Sequence, residues 1–531
     1  MDRRRPYSVI TERWPLPVCD GDHAATPLGK RVAVRVQEMD AGESGVEQQS
    51  RSSAATNMRT ENMKRRVRAL RMITRSVVAL PVVGSKHERS IAKLPSRPVT
   101  NAGCHRGSSS TTHAAGDDTA VSWSSTASTV WIVDNAVVVG AGIGGLTASL
   151  LLSRVAARVT LVERAERPSE VGAALALQPN GMAVLERLGL LAAVEAVGAR
   201  IDRMDIRSVT GRRLLTAGMP DLGGGLDHAV AVRRTDLHRL LLEAVAGVAS
   251  IDTRFGWAAV TADPSGAVRI TSTTENGPDF GSTSLAADVI VGADGVNSAV
   301  RSTGGFVSRV SSGSSYVRTL VSGRASPWFE EYWTPLGSFG QAPLDGDLVY
   351  FWAAAHVAGA AEAVSRRDLG AFRQEWRRVL PAAADLLEEV MSFDDLLVNT
   401  VRQVDCRRWF SGRLVLLGDA AHAMAPNLGA GANTALVDGV VLAEELAGAP
   451  SVMDALVGYD KRRRPLVRRV QKSAAVLQRL CGMERASAVR VRDVLLAGLA
   501  QFPRLSDQGI RRALAADVRT VRSASLLDHA R

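Results

Sequence analysis

Gly140-x-Gly142-x-x-Gly145 follows a short apolar run and opens a helical pattern, and glycines at that spacing do specific backbone work. The first permits a tight turn, the second lets a pyrophosphate approach the main chain, and the third lets the helix pack close to its sheet. Phosphates placed there face free N–H groups and the positive end of the helix dipole. Glu163 ends the next apolar run, eighteen positions after Gly145, where an acid accepts hydrogen bonds from the ribose hydroxyls of an adenosine. These residues predict a dinucleotide site and do not separate a nicotinamide from a flavin. A second group lies far downstream. Asp294 follows the apolar run Val289–Val291 within "GADG", and Asp419 follows Leu414–Leu417 and Gly418, with an Ala/Gly-rich loop behind it. Carboxylates at the carboxyl ends of strands, among residues with little side chain, suit a polyhydroxylated ligand lying against the backbone.

Such residues need a parallel sheet to hold them. "WIVDNAVVVGAGIGGLTASLLLSRVAARVTLVER", from Trp131, reads strand, glycine turn, helix, strand. Ala136–Val139 is continuously apolar, as for a strand buried on both faces, and a βαβ unit sets its two strands side by side. Upstream, residues 1–130 show neither strand nor helix periodicity and are rich in Ser, Thr and Arg. They read as a disordered basic extension, of the kind a start assigned too far upstream produces. Within it only 66–83 suggests a basic amphipathic turn or two; it is misplaced for a secretory signal, and nearby acids count against a transit peptide.

The net charge of +11 sits mostly in that extension: residues 1–130 hold 20 Lys/Arg and 12 Asp/Glu, leaving 45 and 42 for the rest. The remainder is nearly neutral, so its charge gives no argument for nucleic-acid binding. No apolar run approaches the roughly 18 residues that suggest a membrane span. Cys19, Cys104, Cys406 and Cys481 lack CxxC spacing; they fit a reducing, cytoplasmic compartment and argue against a metal site or a disulfide framework.

"GAGIGGL" (140–146), "VER" (162–164), "RTDLHRLL" (234–241), "VGADGVNSAVR" (291–301) and "GRLVLLGDAAHAMAPNLGAGAN" (412–433) occur in order, with "LVGYDKRRRP" (456–465) behind them. In this, residues 131 to about 470 resemble the single-component FAD-dependent aromatic-ring monooxygenases that include the para-hydroxybenzoate and salicylate hydroxylases. The resemblance implies an α/β fold with a Rossmann-like FAD-binding domain, an interleaved β-sheet substrate domain and C-terminal helices. Its core would span 131–450, with FAD-binding segments near 131–205, 230–310 and 402–450, substrate-sheet segments near 203–230 and 311–400, and a helical region over 451–531. The family's cofactor positions fall on Gly140, Gly142, Gly144, Gly145, Glu163, Arg164, Arg234, Asp294, Asp419, Gly429, Gly431, Ala432 and Asn433. Asp419 would bind the ribityl chain of FAD, Asp294 would lie near the pyrophosphate, and Arg234 would meet the phosphate or ribose, where a planar guanidinium fits. The helix starting near Gly431 would aim its amides at the flavin, with Pro426 as a wall beside the reactive edge. Where the family often has Gly-Gln-Gly, this chain has Gly429-Ala430-Gly431, which leaves FAD binding expected and flavin mobility open.

The family's activity is the expected one: NADPH or NADH reduces FAD as a transient co-substrate, and O₂ then gives a flavin C4a-hydroperoxide that hydroxylates a small aromatic in a dry pocket. A second GxGxxG and a redox CxxxxC are both absent from the sequence, consistent with a reductant that has no Rossmann domain of its own. Strand-like segments at 203–209, 316–323 and 336–355 would roof the flavin. Of Phe339, Tyr350, Phe351 and Trp352, alternate residues should face the pocket and the rest the core. Pro343 resembles the family's turn between roof strands. His228, His356 and Tyr316 are the candidates for a base acting on a phenolic substrate, and His422 reads as structural. No metal site is expected, and a monomer or homodimer fits equally. Alternatives are an FAD-dependent dehydrogenase or reductase of the same fold acting on an isoprenoid-like or polyketide substrate, or a non-catalytic FAD-binding paralogue. A halogenase would carry a tryptophan-pair motif that this sequence lacks.

Overall fold

The computed structural model describes residues 133–168, 173–274, 281–323, 326–501 and 514–527; the extension 1–130, with Cys19, Cys104 and the stretch 66–83, lies outside them. Along the chain the site-bearing elements begin with β1 (Val133–Val139), α1 (Ile143–Leu152), β2 (Ala156–Glu163), β3 (Ala174–Leu177) and α2 (Pro179–Arg187). A first excursion gives β4 (Arg203–Ser208) and β5 (Arg213–Gly218). The chain returns through β6 (Ala229–Arg233), α3 (Arg234–Ala246), β7 (Ile251–Phe255), β8 (Val289–Gly292) and α4 (Ala299–Thr303). The second excursion is β9 (Ser308–Ser322), β10 (Phe329–Thr334), β11 (Gly337–Pro343), β12 (Leu348–Ala354), α5 (Leu369–Val379) and β13 (Leu397–Cys406). β14 (Leu414–Leu416), α6 (Asp419–His422), α7 (Gly431–Gly448), α8 (Val452–Cys481) and α9 (Ala486–Leu499) follow.

Two sheets matter for function. The first has six strands in the order Phe410–Ser411, β14, β8, β1, β2, β7, parallel except for the first. Its central strands are apolar on both faces, with α1 packed against β1 and β2 and α7 packed against α1, and Val137, Val138, Leu161, Ile290 and Val415 are buried. The three strands that sequence patterns end in a glycine loop or a Gly/Asp turn are β1, β8 and β14, adjacent and parallel. Their carboxyl ends therefore open on one edge.

The second sheet has seven strands in the order β13, β9, β12, β11, β10, β4, β5. Here alternation decides which side chain goes where. Val317, Phe339, Val349 and Phe351 point to one face and pack with Phe372 and Trp376 of α5 in a core of their own. Their sequence neighbours point to the other. Of the aromatic quartet singled out in the sequence, Phe339 and Phe351 are core while Tyr350 and Trp352 line the cavity. Pro343 closes β11 before the turn into β12. Among the described residues no helix is long and apolar enough to cross a membrane.

Candidate active site

The glycine loop after β1 has the form its sequence demands. Gly140 has φ +102°, and a Cβ there would stand 2.6 Å from the Ala293 carbonyl oxygen at the end of the neighbouring β8. A Cβ on Gly145 would fall 1.8 Å from the Gly140 carbonyl oxygen, so α1 packs against the loop only because both are glycine. A Cβ on Gly142 would meet nothing within 4 Å: this is the open approach to the helix N-terminus, which carries no side-chain cap. Gly144 instead faces Leu417 and Ala435. Glu163 reaches back into the loop, accepting from the Ala141 N–H at 2.7 Å and from the Ala165 N–H at 3.0 Å. His238 of α3 holds the other side of that residue, its Nε2 lying 2.7 Å from the Ala141 carbonyl oxygen. His238 sits inside the quoted "RTDLHRLL", yet its partner lies 97 residues away, which no local pattern reveals. Arg234 opens α3 exposed, and Arg164 is exposed past the end of β2.

Beyond β8, Asp294 accepts from the N–H groups of Ala299 and Val300 at 2.6 and 3.2 Å, using one oxygen, Oδ2. The other, Oδ1, is buried without a partner, and burial pushes the carboxyl up against those hydrogen bonds. Arg301, buried, then joins two of the motifs: its guanidinium donates to the Ala420 carbonyl at 2.8 Å and to that of Val296 at 2.7 Å. Beyond β14, Gly418 turns with φ +61° and Asp419 emerges exposed at the first position of α6. Its carboxylate lines the cavity and has no protein partner among the described residues. Pro426 opens a short 3₁₀ turn, Gly429 adopts φ +60°, and α7 begins at Gly431 with no side chain capping it. Asn433 is fully buried and acts within the chain: it accepts from the Gln178 N–H at 2.9 Å and donates to the carbonyls of Ala176 and Gly429 at 2.9 Å each. The residue thus pins the 429 loop to β3.

Under this floor runs a buried polar chain. His422 Nε2 lies 2.5 Å from Asp438 of α7, whose other oxygen accepts from Arg463 of α8 at 2.8 Å. Arg463 also donates to Asp517 at 2.8 Å, and Asp517 accepts from Asn180 of α2 at 3.0 Å. Burial alone would raise the Asp438 carboxyl, but His422 and Arg463 hold it below the ordinary carboxylate value. His422 is therefore a structural partner, with its ring 4.8 Å from that of Trp409.

Floor and roof enclose a cavity of about 420 Å³. Asp419, Pro426, Gly429, Gly431 and Ala432 line it from below, and Tyr316, Arg318, Glu331, Ser338, Tyr350 and Trp352 from the second sheet. An uncapped 18-residue helix, an unpaired carboxylate and an apolar aromatic wall meet there. The open Gly142 approach, the orphaned Asp294 oxygen and the free Asp419 carboxylate fit a group with phosphates, hydroxyls and a flat ring. Of the three candidate bases only Tyr316 lines this cavity, its phenol pushed up by burial. His228 is held between Glu195, Asp227 and Arg200 away from it. His356 stands behind Tyr316 at a ring separation of 6.4 Å, its basicity lowered by burial. Glu331 and Arg318 carry no signal in the sequence, because strand register alone decides that they enter the cavity. Among the described residues no group of His, Cys, Asp or Glu side chains could hold a metal ion.

Comparison with known proteins gives the same direction. The family model described as FAD binding domain matches residues 134–474. Aurachin C monooxygenase/isomerase of Stigmatella aurantiaca is 30% identical over 339 residues, covering 62% of this chain and 84% of that protein. The 3-amino-4-hydroxybenzoate 2-monooxygenase of Streptomyces cremeus is 32% identical over 354 residues, 64% of this chain and 85% of that one. Among solved structures, 2-methyl-3-hydroxypyridine-5-carboxylic acid oxygenase superposes with a TM-score of 0.56 at 27% identity, covering 68% of this chain and 96% of its own.

Proposed function

The chain belongs to the FAD binding domain family, among the single-component FAD-dependent aromatic-ring monooxygenases, and we propose that it uses NAD(P)H and O₂ to hydroxylate a small aromatic substrate. The observation that carries this reading is one cavity floored by the uncapped start of α7 and the free Asp419 carboxylate, and roofed by Tyr350 and Trp352. When bound, FAD supplies the redox chemistry by which nicotinamide electrons reach O₂. The residues of the chain bind, orient and keep the site dry. Gly142 admits the pyrophosphate, whose charge meets the first turn of α1. Glu163 would hold the ribose end and Asp294 the pyrophosphate end, and Arg234 would add a guanidinium from α3. Asp419 accepts hydrogen bonds from the ribityl hydroxyls. The first amides of α7, at Gly431 and Ala432, stabilise negative charge on the flavin ring.

A substrate would sit against the roof, above the residues that would hold the ring. Trp352 gives it a flat apolar contact, and Arg318, without a carboxylate partner among the described residues, takes an anionic substituent. Enclosure excludes water, which otherwise diverts reduced oxygen to hydrogen peroxide. The test is the visible spectrum of the purified chain with FAD, before and after NADH or NADPH, with a panel of aromatic acids and ¹⁸O₂. Flavin bands that bleach faster with one aromatic, and label in that product, support the reading. A chain that takes up no FAD overturns it.

A further inference from the structure

Among the described residues Glu331 is the one carboxyl on the roof face of the cavity, and the cofactor floor makes no use of it. It lies mid-strand in β10, is 5% exposed and lines the cavity. Register sets it in a row across the sheet: Arg318 pairs with Trp352, Trp352 with Gly340, and Gly340 with Glu331. Directly paired residues share a face, so Arg318, Trp352 and Glu331 enter the same space, their main chains about 14 Å apart at the ends of the row. Gly340 makes room for the indole between them: a Cβ there would stand 1.9 Å from Trp352 Cζ2. Phe329 and Tyr350 extend that plate, with rings 4.9 and 5.4 Å from Trp352.

No cation pairs with Glu331 among the described residues, in contrast to its neighbour Glu330, which meets Arg207 at 2.5 Å on the opposite face. Ser338 and Trp333 stand beside the Glu331 carboxyl, and their Oγ and Nε1 have no well-aligned partner of their own. Tyr316 of β9, Cys481 of α8 and, farther along the row, Arg318 are the titratable or charged groups that face it. A buried carboxyl without a counter-ion, aimed into a ligand cavity, marks a functional position.

We propose that Glu331 reads the substrate, its carboxyl accepting a hydrogen bond from a phenolic O–H or ring N–H and, when ionised, taking that proton. The substrate's O–H or N–H bond breaks, a carboxyl O–H bond forms, and the electron pair stays on the ring, which becomes more electron-rich; the proton leaves to solvent after product release. Burial, which pushes the Glu331 carboxyl up to about 7, brings its titration near neutrality, where a general base is most effective. The proposal rests on the aromatic hydroxylase reading above.

The test uses the FAD-loaded full chain, titrated with 3-amino-4-hydroxybenzoate, 3-hydroxybenzoate and 4-hydroxybenzoate against benzoate, which has no ring donor, while flavin absorbance is followed. Wild type should prefer a donor-bearing ring by about tenfold or more, the scale of one hydrogen bond to a charged group, and the preference should grow as pH rises through 7. In E331L it should shrink to within about twofold. E331Q keeps an acceptor of the same shape, so it should retain part of the preference and lose its pH dependence; its flavin content and circular dichroism report the fold. A wild type without preference, or an E331L that keeps it, overturns the role of Glu331. Label from ¹⁸O₂ in the product reads the hydroxylase assignment separately: preference without incorporation sinks that assignment while Glu331 remains the donor-reading residue.

Discussion

Three carboxylates show how residue chemistry divides between fold and site. Among the described residues Asp419 is exposed and unpaired, Asp438 is buried and doubly paired, and Glu331 is buried and unpaired by any cation. Removing Asp419 should therefore leave the apo fold within about 0.5 kcal/mol of wild type and act on the cofactor. D419A is expected to weaken FAD binding by 10- to 100-fold, about 1.5–3 kcal/mol for charged hydrogen bonds, measured by fluorescence on titration with FAD. Glu331 predicts a pH effect on stability. Its folded value, about 7, lies above the ordinary 4.5, so the native state binds the extra proton, and stability falls as pH rises from about 4.5 through 7. E331Q removes the titration and should gain on wild type by roughly 3 kcal/mol between pH 4.5 and 8, read as a widening difference in melting temperature; a constant difference would contradict it. Asp419 was legible in sequence because a buried strand that ends in Gly-Asp before a loop of Ala and Gly sets a carboxylate where the fold itself has no use for one. Glu331 was not. "FEEYW" offers two adjacent glutamates of equal appearance, and only the pairing of β10 with β11 sends Glu330 to the ion pair and Glu331 to the cavity.

At the scale of elements, the site depends on the start of α7 being held still. Asp438 sits two turns into that helix and receives His422 from α6 and Arg463 from α8, while Arg463 reaches Asp517 in the helical stretch 514–522. Asp438 also accepts from the Gly418 N–H at 3.3 Å, next to Asp419. Breaking a buried pair by removing one partner costs about 3–5 kcal/mol, since the other charge is left without compensation. D438N should accordingly lower the melting temperature by many degrees at pH 7. Because the folded carboxyl is depressed, its contribution is present above the unfolded value near 4 and is lost as pH falls through the folded one; the gap between D438N and wild type should close in that acid window. A D438N protein as stable as wild type at pH 7 would show that the network holds nothing. The glycine loop and the starts of α1 and α7 were readable because each is a local pattern of one strand, one turn and one helix. The network that fixes α7 was not, since its members come from separate helices and a distance of 54 residues separates Arg463 from Asp517.

Across the whole molecule, the floor proposed to hold the cofactor comes from a parallel sheet whose three junctions share an edge, and the roof proposed to meet the substrate comes from a second sheet threaded through the first in two excursions. The floor follows from sequence because backbone geometry there needs particular residue types. The roof follows only as alternation, which separated Tyr350 and Trp352 from Phe339 and Phe351 in kind but not in direction. This division makes the two halves separable by mutation. Gly340 lies in the roof, and its missing Cβ is what lets the Trp352 indole lie across the sheet. G340A should push that indole into the cavity, while β1, β8, β14 and the loop after Asp419, which share no strand with β11, keep their places. FAD affinity should then stay within about twofold of wild type, since additivity holds where no strand is shared and the floor belongs to the other sheet. Aromatic substrates should bind at least tenfold more weakly, in keeping with overpacking costs of about 1–3 kcal/mol. With the substrate displaced, the reduced flavin should meet O₂ without a ring beside it, so more NAD(P)H oxidised should appear as hydrogen peroxide and less as hydroxylated product, a ratio that a peroxidase-coupled assay reads directly. Loss of FAD in parallel with substrate would mean that roof and floor move as one body, and that Trp352 positions the cofactor as well as the ring beside it.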